Sequence, residues 1–294
     1  RLLRRIEAGD SAVLISTMGV AGDCGTDHPL PFFTGSWDDW ARLIHTQSNY
    51  NEALRSRVVT RGPRCPVVSD YVNCMAGCMG VNNSELLPPF LPIQRGEELV
   101  FGVLVNRCVP NALFGAIPRA ILHVPPEARH FDVDAAISYS GKFTAAETMA
   151  HLLEAEAVRG ASRSARMQSM GNRLKELSDL SERDFAEYVT GLMRESLASL
   201  IQRLNATIHR PCQHPRFWLN DVLRIRDAHL AMYLNRDHSV PVDLEREFGT
   251  VGARSHLKAL VAQFAALIQS WPALVEAAGV LDSKGTTMCS RPFE

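Results

Sequence analysis

The character of the chain changes near residue 143, and this change limits the folds that it can adopt. Before that point proline, glycine and cysteine interrupt the sequence every few residues, and apolar runs of strand length alternate with irregular stretches. After it, long amphipathic segments follow one another with helix-capping residues between them. This order is typical of α+β proteins. The sequence therefore predicts an α+β fold with a mixed, loop-rich region (1–142) and a helical region (143–294), which form two domains or one continuous domain.

Several elements follow from local patterns in the first half. Apolar and β-branched runs predict strands, and a helix is predicted where Ser36 can cap a segment with acidic residues in its first turn. The predicted strands are Ser11–Met18, Leu99–Val105, Ala120–Val124 and Phe131–Tyr139, and the predicted helix is Trp37–Arg57. Val67–Met79 is open between a strand start and a short buried helix.

The second half is better specified. Thr144 and Glu147 form a capping-box pattern that opens a helix to about Arg159, and Ser181 opens a second one to about His209. Phe217–Leu234 and Ala253–Ser270 complete the set, with Trp271 and Pro272 closing the last helix. The predicted core residues are Leu192, Leu200, Leu204, Leu223, Leu230, Leu260, Phe264 and Leu267.

Composition narrows the classes of function. The 294 residues carry a formal net charge of −1, which argues against a protein covered in nucleic acid but leaves room for a local basic patch. No uninterrupted apolar run approaches the roughly 18 residues of a membrane span, so no membrane partner is predicted. The chain starts at Arg1 without a methionine, which leaves open whether it is a piece of a longer polypeptide.

Seven cysteines, an odd number at irregular spacing, indicate reduced thiols and an intracellular, cytoplasmic location. Cys74 and Cys78, with Cys65 and Cys108, have the ligand number of a four-thiolate metal site. They lack the CxxC pairing of zinc sites, so buried free thiols are the preferred interpretation.

A second candidate metal site is the cluster His209, Cys212 and His214. The local sequence supplies no fourth ligand, and the alternative is a helix end followed by an interhelical turn. We therefore predict no metal and no cofactor.

Cys24, Asp27 and His28 offer a thiol, an acid and a base on one glycine-flanked loop. Residues this close in sequence seldom reach catalytic geometry, so an ordinary turn is preferred and no catalytic residue is assigned.

The clearest charge feature is a basic stretch, residues 159–175, without any acidic residue. Its cations suit phosphate groups or an acidic partner, and the alternative is a solvated helix face. They are Arg159, Arg163, Arg166, Arg173 and Lys175.

The arm Leu86–Ile93 carries three prolines among large apolar residues. Prolines deny it the hydrogen bonds of a central strand, whereas its apolar side chains require burial. We expect it to contact a neighbouring subunit rather than its own core. The predicted interface residues are Leu87, Phe90, Leu91 and Ile93.

No motif specifies a chemistry, so function is inferred by elimination. The favoured hypothesis is a structural subunit of a homo-oligomer or larger assembly, such as a shell or viral coat protein, which would also place it in a virion. The alternatives are an intracellular thiol- or metal-dependent enzyme whose site is assembled from distant residues, and a nucleic-acid-binding protein that uses the basic stretch.

Overall fold

The computed structural model describes residues 2–9, 11–23, 31–34, 44–70, 74, 79–92, 95–131, 134, 142–210, 214–235 and 238–285. The fold is α+β, as predicted, with a small mixed sheet in the first half and long helices in the second. The strands are β1 (Ala12–Asp23), β2 (Val58–Arg61), β3 (Val67–Ser69), β4 (Met79–Val81) and β5 (Ala112–His123). The helices are α1 (Leu2–Glu7), α2 (Pro31–Thr34), α3 (Gln47–Arg55), α4 (Glu97–Cys108), α5 (Ala145–Ala155), α6 (Arg163–Asp179), α7 (Glu182–Ile208), α8 (Arg216–Asn235) and α9 (Val242–Ser283).

The sheet is built around two long parallel strands. β1 and β5 pair from Ala12 opposite Ala112 to Gly22 opposite His123, so their carboxyl ends lie side by side. β2 and β4 pair antiparallel with β1, and β3 pairs antiparallel with β5. The predicted strands Ser11–Met18 and Ala120–Val124 thus belong to the central pair.

The prediction of a strand at Leu99–Val105 is wrong, because this segment lies inside helix α4. Val100 to Val105 are all buried between the sheet and the helical half. A helix that is buried on every side carries a continuous apolar run, which local periodicity does not distinguish from a buried strand.

The helical half follows its predicted signals. The capping box is present, since the Thr144 side chain accepts from the backbone N–H of Glu147 and the Glu147 carboxylate accepts from that of Thr144. Ser181 caps α7 in the same way, through the backbone N–H of Asp184. Of the predicted core, Leu200, Leu204, Leu260 and Phe264 are buried, Leu192 and Leu267 pack partly buried against it, Leu223 is half-buried, and Leu230 is 42% exposed.

Three more helices differ from expectation. The helix predicted at Trp37–Arg57 begins only at Gln47 (α3) in the described residues, with Thr46 rather than Ser36 as its cap, and residues 36–43 lie outside the described residues. The basic stretch was not predicted as an element, yet most of it forms α6, which begins after the cap residue Ser162. The prediction that the last helix ends at Trp271 and Pro272 is also wrong. Helix α9 continues through Pro272 to Ser283.

Among the described residues, three apolar clusters hold the fold together, and two of them join both halves of the chain. The largest packs α4 and Leu91 against α5, α6, α7 and α9. The second joins Tyr50 and Leu54 of α3 to Leu204 and Trp218 of the helical half. The third packs the sheet on α4.

Within the described residues, α9 has the length and apolar composition of a membrane-crossing helix. Its most apolar 18-residue stretch has a mean hydropathy of 1.4, and 17% of that stretch is buried. Polar residues such as Gln269 and Glu276 interrupt the apolar residues, which is why a search for an uninterrupted run missed it.

Candidate functional site

A cleft of about 870 Å³ opens where β1 and β5 end. Ligand sites of α/β sheets are found at the carboxyl ends of parallel strands, because the chain turns away there and leaves space. Asp23 is the last residue of β1 and His123 the last of β5, and both line the cleft. Arg57 and Arg129 also line it, and we call these four residues the inner part of the cleft.

The inner part of the cleft is a carboxylate held between two arginines. The Arg57 Nε atom donates to one oxygen of Asp23 at 3.0 Å, and the Arg129 Nε atom donates to the other at 2.7 Å. The Asp23 side chain is only 7% exposed. The hydrogen bond from Arg129, with help from Arg57, holds the pKa of Asp23 below its usual range against the opposing effect of burial. This carboxylate is therefore ionised at neutral pH and unsuited to proton transfer.

Both arginines retain donors for a ligand. Each uses Nε on Asp23, and among the described residues neither has a hydrogen-bond partner for its terminal nitrogens. The Arg57 guanidinium also lies over the Phe131 ring, 4.7 Å from its centroid, which fixes its plane. The Nδ1 atom of His123 is hydrogen-bonded to the Asp23 carbonyl oxygen, so this ring is oriented as well.

A second candidate site is an apolar stripe along α9. Side chains at alternating intervals of four and three residues form the seam with which a helix packs on its neighbours. In α9 these are Ala253, Leu257, Leu260, Phe264, Leu267, Trp271, Leu274, Ala278 and Leu281. The first four are buried in the largest cluster, and Leu267 and Trp271 pack partly buried against it.

Beyond Trp271 the same seam continues without a partner among the described residues. We call residues 272–283 the α9 tip. Leu274 is 50% exposed and Leu281 36% exposed. Pro272 removes one helical hydrogen bond, and Gly279 has a low helix propensity. A helix of about a dozen residues is marginal in water even with better formers, so burial of the tip against another surface would stabilise it.

The arm Leu86–Ile93 packs on its own chain, which corrects the prediction that it lies outside the chain's core. Leu91 is 2% exposed and belongs to the largest cluster. Trp271 Nε1 donates to the carbonyl oxygen of Leu87 at 2.7 Å, so the arm is fastened directly to α9. Phe90 is 39% exposed, and its ring stacks on that of Phe101 with 4.0 Å between the centroids. Ile93 lies outside the described residues. An interface role for Leu87, Phe90 and Ile93 stays a prediction, whereas Leu91 is buried in its own chain.

The structure provides partners from within the chain for most cations of the basic stretch. Arg163 pairs with Glu85 at 2.7 Å, and Arg166 donates twice to the carbonyl oxygen of Arg107. Arg173 pairs with the buried Glu156 at 2.9 Å, and Lys175 pairs with Asp179. Arg159 is exposed. The sequence of the stretch gave no sign of these pairings, because most of the acceptors come from other elements.

The cysteine and histidine candidates do not form a metal site among the described residues. His209 caps the C-terminus of α7, and the His214 ring packs on Trp218 at 4.7 Å between centroids. Burial lowers the pKa of His214. Cys212, Cys78 and the loop with Cys24, Asp27 and His28 lie outside the described residues.

The three cysteines that the structure describes are free thiols. Cys65 is exposed, whereas Cys74 and Cys108 are buried. Burial raises the pKa of Cys74 to about 11 and that of Cys108 to about 12, so both are unreactive at neutral pH.

Sequence reasoning missed both candidate sites that the structure shows, the cleft at the ends of β1 and β5 and the exposed seam of α9. The members of the cleft lie far apart in sequence, and no local pattern connects them. The seam of α9 carries a signal that sequence could have revealed, since the alternating spacing continues past Pro272. Comparisons with protein-family models, curated proteins and solved structures each find no match for this chain.

Proposed function

We propose that the chain is a structural subunit that assembles with copies of itself through the α9 tip. The observation that carries the proposal is the seam of α9, which is buried in the subunit as far as Phe264 and exposed at Leu274 and Leu281. An apolar seam that extends beyond its own core is typical of a helix that pairs with a second helix.

A second copy is the occupant that fits best. Two identical tips present the same four-three spacing, so they can pair about a twofold axis with each seam facing the other. The repulsion between two tips is small, because their two acidic residues, Glu276 and Asp282, lie off the seam, Lys284 follows directly, and salt screens exposed charges.

The size of the tip predicts a weak contact. Twelve residues at about 1.5 Å each give a helix of about 18 Å, and a pair of such helices buries less than the roughly 1,200 Å² of a stable specific interface. Weak contacts become effective when each subunit makes several of them, as in a closed shell. Further apolar residues are exposed on the sheet side, among them Ile117 at 41%, Ile121 at 39% and Leu122 at 69%. A shell or viral coat is therefore the kind of assembly that we propose.

A membrane is the principal competing occupant of the α9 tip. The exposed tip, about 18 Å long, is shorter than the roughly 30 Å hydrocarbon core of a bilayer. A span would therefore have to recruit residues such as Phe264 and Ile268, which are buried in the largest cluster.

The test compares seam and off-seam substitutions. Leu274→Ser with Leu281→Ser removes two seam side chains, whereas Val280→Ser removes an equally apolar, 47% exposed side chain from a different face of the same helix. Native mass would be followed by analytical ultracentrifugation over a wide concentration range, with circular dichroism to confirm that each variant is folded.

We expect concentration-dependent association in the native chain and in Val280→Ser, and at least a tenfold weaker association in the double variant. Loss of two half-exposed leucine contacts, at about 1 kcal/mol or more each, corresponds to that change. A native chain that stays monomeric at every concentration would refute the proposal. Equal weakening by the off-seam substitution, or co-flotation of the native monomer with lipid vesicles, would refute it too.

A further inference from the structure

We propose that the cleft at the ends of β1 and β5 binds a small phosphate ester. This inference is independent of the assembly function, because the cleft and the α9 tip share no residue. Its volume of about 870 Å³ lies within the range of small-molecule sites.

The arginine pair supplies the recognition chemistry. Asp23 fixes both guanidinium groups by their Nε atoms, which leaves their terminal nitrogens as donors for acceptors in the cleft. One carboxylate between two arginines leaves a net charge of +1 in the inner part. Arginine forks bind phosphate oxygens with two parallel hydrogen bonds, and groups that are already oriented lose less freedom when they do so.

The cleft is also lined by Glu52, Arg55, Glu127 and His130, which are exposed, as is the Arg129 side chain. Water and salt screen the two exposed carboxylates, Glu52 and Glu127, so they oppose an anion at the arginine pair only weakly. Ser48 and Asn51 of α3 also line the cleft and offer hydrogen bonds to the uncharged part of an ester.

Binding would be measured by isothermal titration calorimetry with four probes: inorganic phosphate, adenosine 5′-monophosphate, adenosine and succinate. The decisive variant is Arg129→Gln, whose native side chain is 46% exposed, so that its loss leaves Asp23 paired with Arg57. The matched control is Arg119→Gln, an exposed arginine of the same sheet that does not line the cleft. Unfolding midpoints would confirm that both variants are folded.

We expect both phosphate-bearing probes to bind, adenosine and succinate to bind at least tenfold more weakly, and Arg129→Gln to weaken phosphate binding at least tenfold. That factor is the loss of one charge-assisted hydrogen bond. Arg119→Gln should bind like the native chain. Succinate bound as tightly as phosphate, no phosphate binding at millimolar concentration, or equal effects of the two arginine variants would each overturn the proposal.

Discussion

A close contact between α6 and α9 predicts that glycine-to-alanine substitution destabilises the fold at Gly171, whereas the same substitution stabilises it at Gly191. Gly171 lies on the face of α6 that packs against α9, and it is buried. A Cβ atom at Gly171 would come within 2.5 Å of Gln269 Cγ and 3.0 Å of the carbonyl oxygen of Ala265. Gly191 of α7 is exposed, and a Cβ atom there would meet nothing within 4 Å.

The magnitudes follow from two opposing effects. Replacing glycine by alanine inside a helix gains about 0.5–1 kcal/mol, because the unfolded chain loses conformational freedom. Forcing a methyl group into a packed interface costs about 1–3 kcal/mol. At Gly171 the backbone oxygen of Ala265 cannot rotate away, and Gln269 is held by its hydrogen bond to Asn172 at 2.8 Å. We expect Gly171→Ala to lower the free energy of unfolding by about 1 kcal/mol and Gly191→Ala to raise it by about 0.5–1 kcal/mol.

Differential scanning fluorimetry and urea titration would measure both variants beside the native chain. A change of 1 kcal/mol shifts the midpoint of a chain this large by about 2 °C, so the two variants should differ by about 3–4 °C. A Gly171→Ala variant stabilised as much as Gly191→Ala would show that α6 and α9 accommodate the added methyl group at no cost. The close contact between the two helices would then not limit the size of the residue at position 171.

Two further predictions concern packing and charge. Leu91→Ala should lower the free energy of unfolding by about 2–4 kcal/mol, because Leu91 is buried. Phe90→Ala should lower it clearly less in the same urea titration, because Phe90 is partly exposed. Equal losses in the two variants would contradict the packing of the arm on its own chain. Arg173→Met should lower the free energy of unfolding by about 1–2 kcal/mol more than Glu156→Gln does. Arg173→Met leaves the buried Glu156 carboxylate with only the Tyr188 hydroxyl, at 2.8 Å, as its partner among the described side chains. Glu156→Gln instead leaves Arg173 without its carboxylate, but this side chain is 48% exposed and water can solvate it. A lower urea midpoint for Glu156→Gln than for Arg173→Met would contradict this prediction.

The parts of the fold that sequence predicted are those set by local rules. Thr144 and Ser181 begin helices because each side chain accepts from a backbone N–H three residues later, and both residues of the capping box are visible in the sequence. The predicted strands Ser11–Met18 and Ala120–Val124 located parts of β1 and β5 for a similar reason, since β-branched and apolar residues favour extended backbone. The remaining parts of these two strands, residues 19–23 and 112–119, were not predicted.

The errors arose where tertiary packing overrides local preference. Within the predicted strand Leu99–Val105, the sheet covers one side of Val100 to Val105 and α5 and α6 cover the other, so no polar face is left there to reveal a helical period. Pro272 does not end α9, although it removes one helical hydrogen bond, and Trp271 beside it donates to the carbonyl oxygen of Leu87 in the arm. The residues that cover α4 and the residue that binds Trp271 lie far away along the chain.

The candidate cleft lay beyond sequence reasoning for the same reason. Asp23 is 34 positions from Arg57 and 106 from Arg129, and only the sheet brings them together. The one local indication was the segment with Cys24, which directly follows Asp23 and which the sequence marked as a candidate site at the end of β1.

The parallel pairing of β1 with β5 also affects how the chain is made in the cell. Ala12 lies opposite Ala112, so the first strand of the sheet leaves the ribosome about 100 residues before its central partner. At about 5–20 residues per second, β1 is without that partner for about 5–20 s. During that time the edge of β1 that pairs with β5, and its apolar face, are accessible to chaperones and to other nascent chains, even after β2 and β4 have been made. Synthesis speed through residues 24–111 should therefore control how much of the protein escapes aggregation.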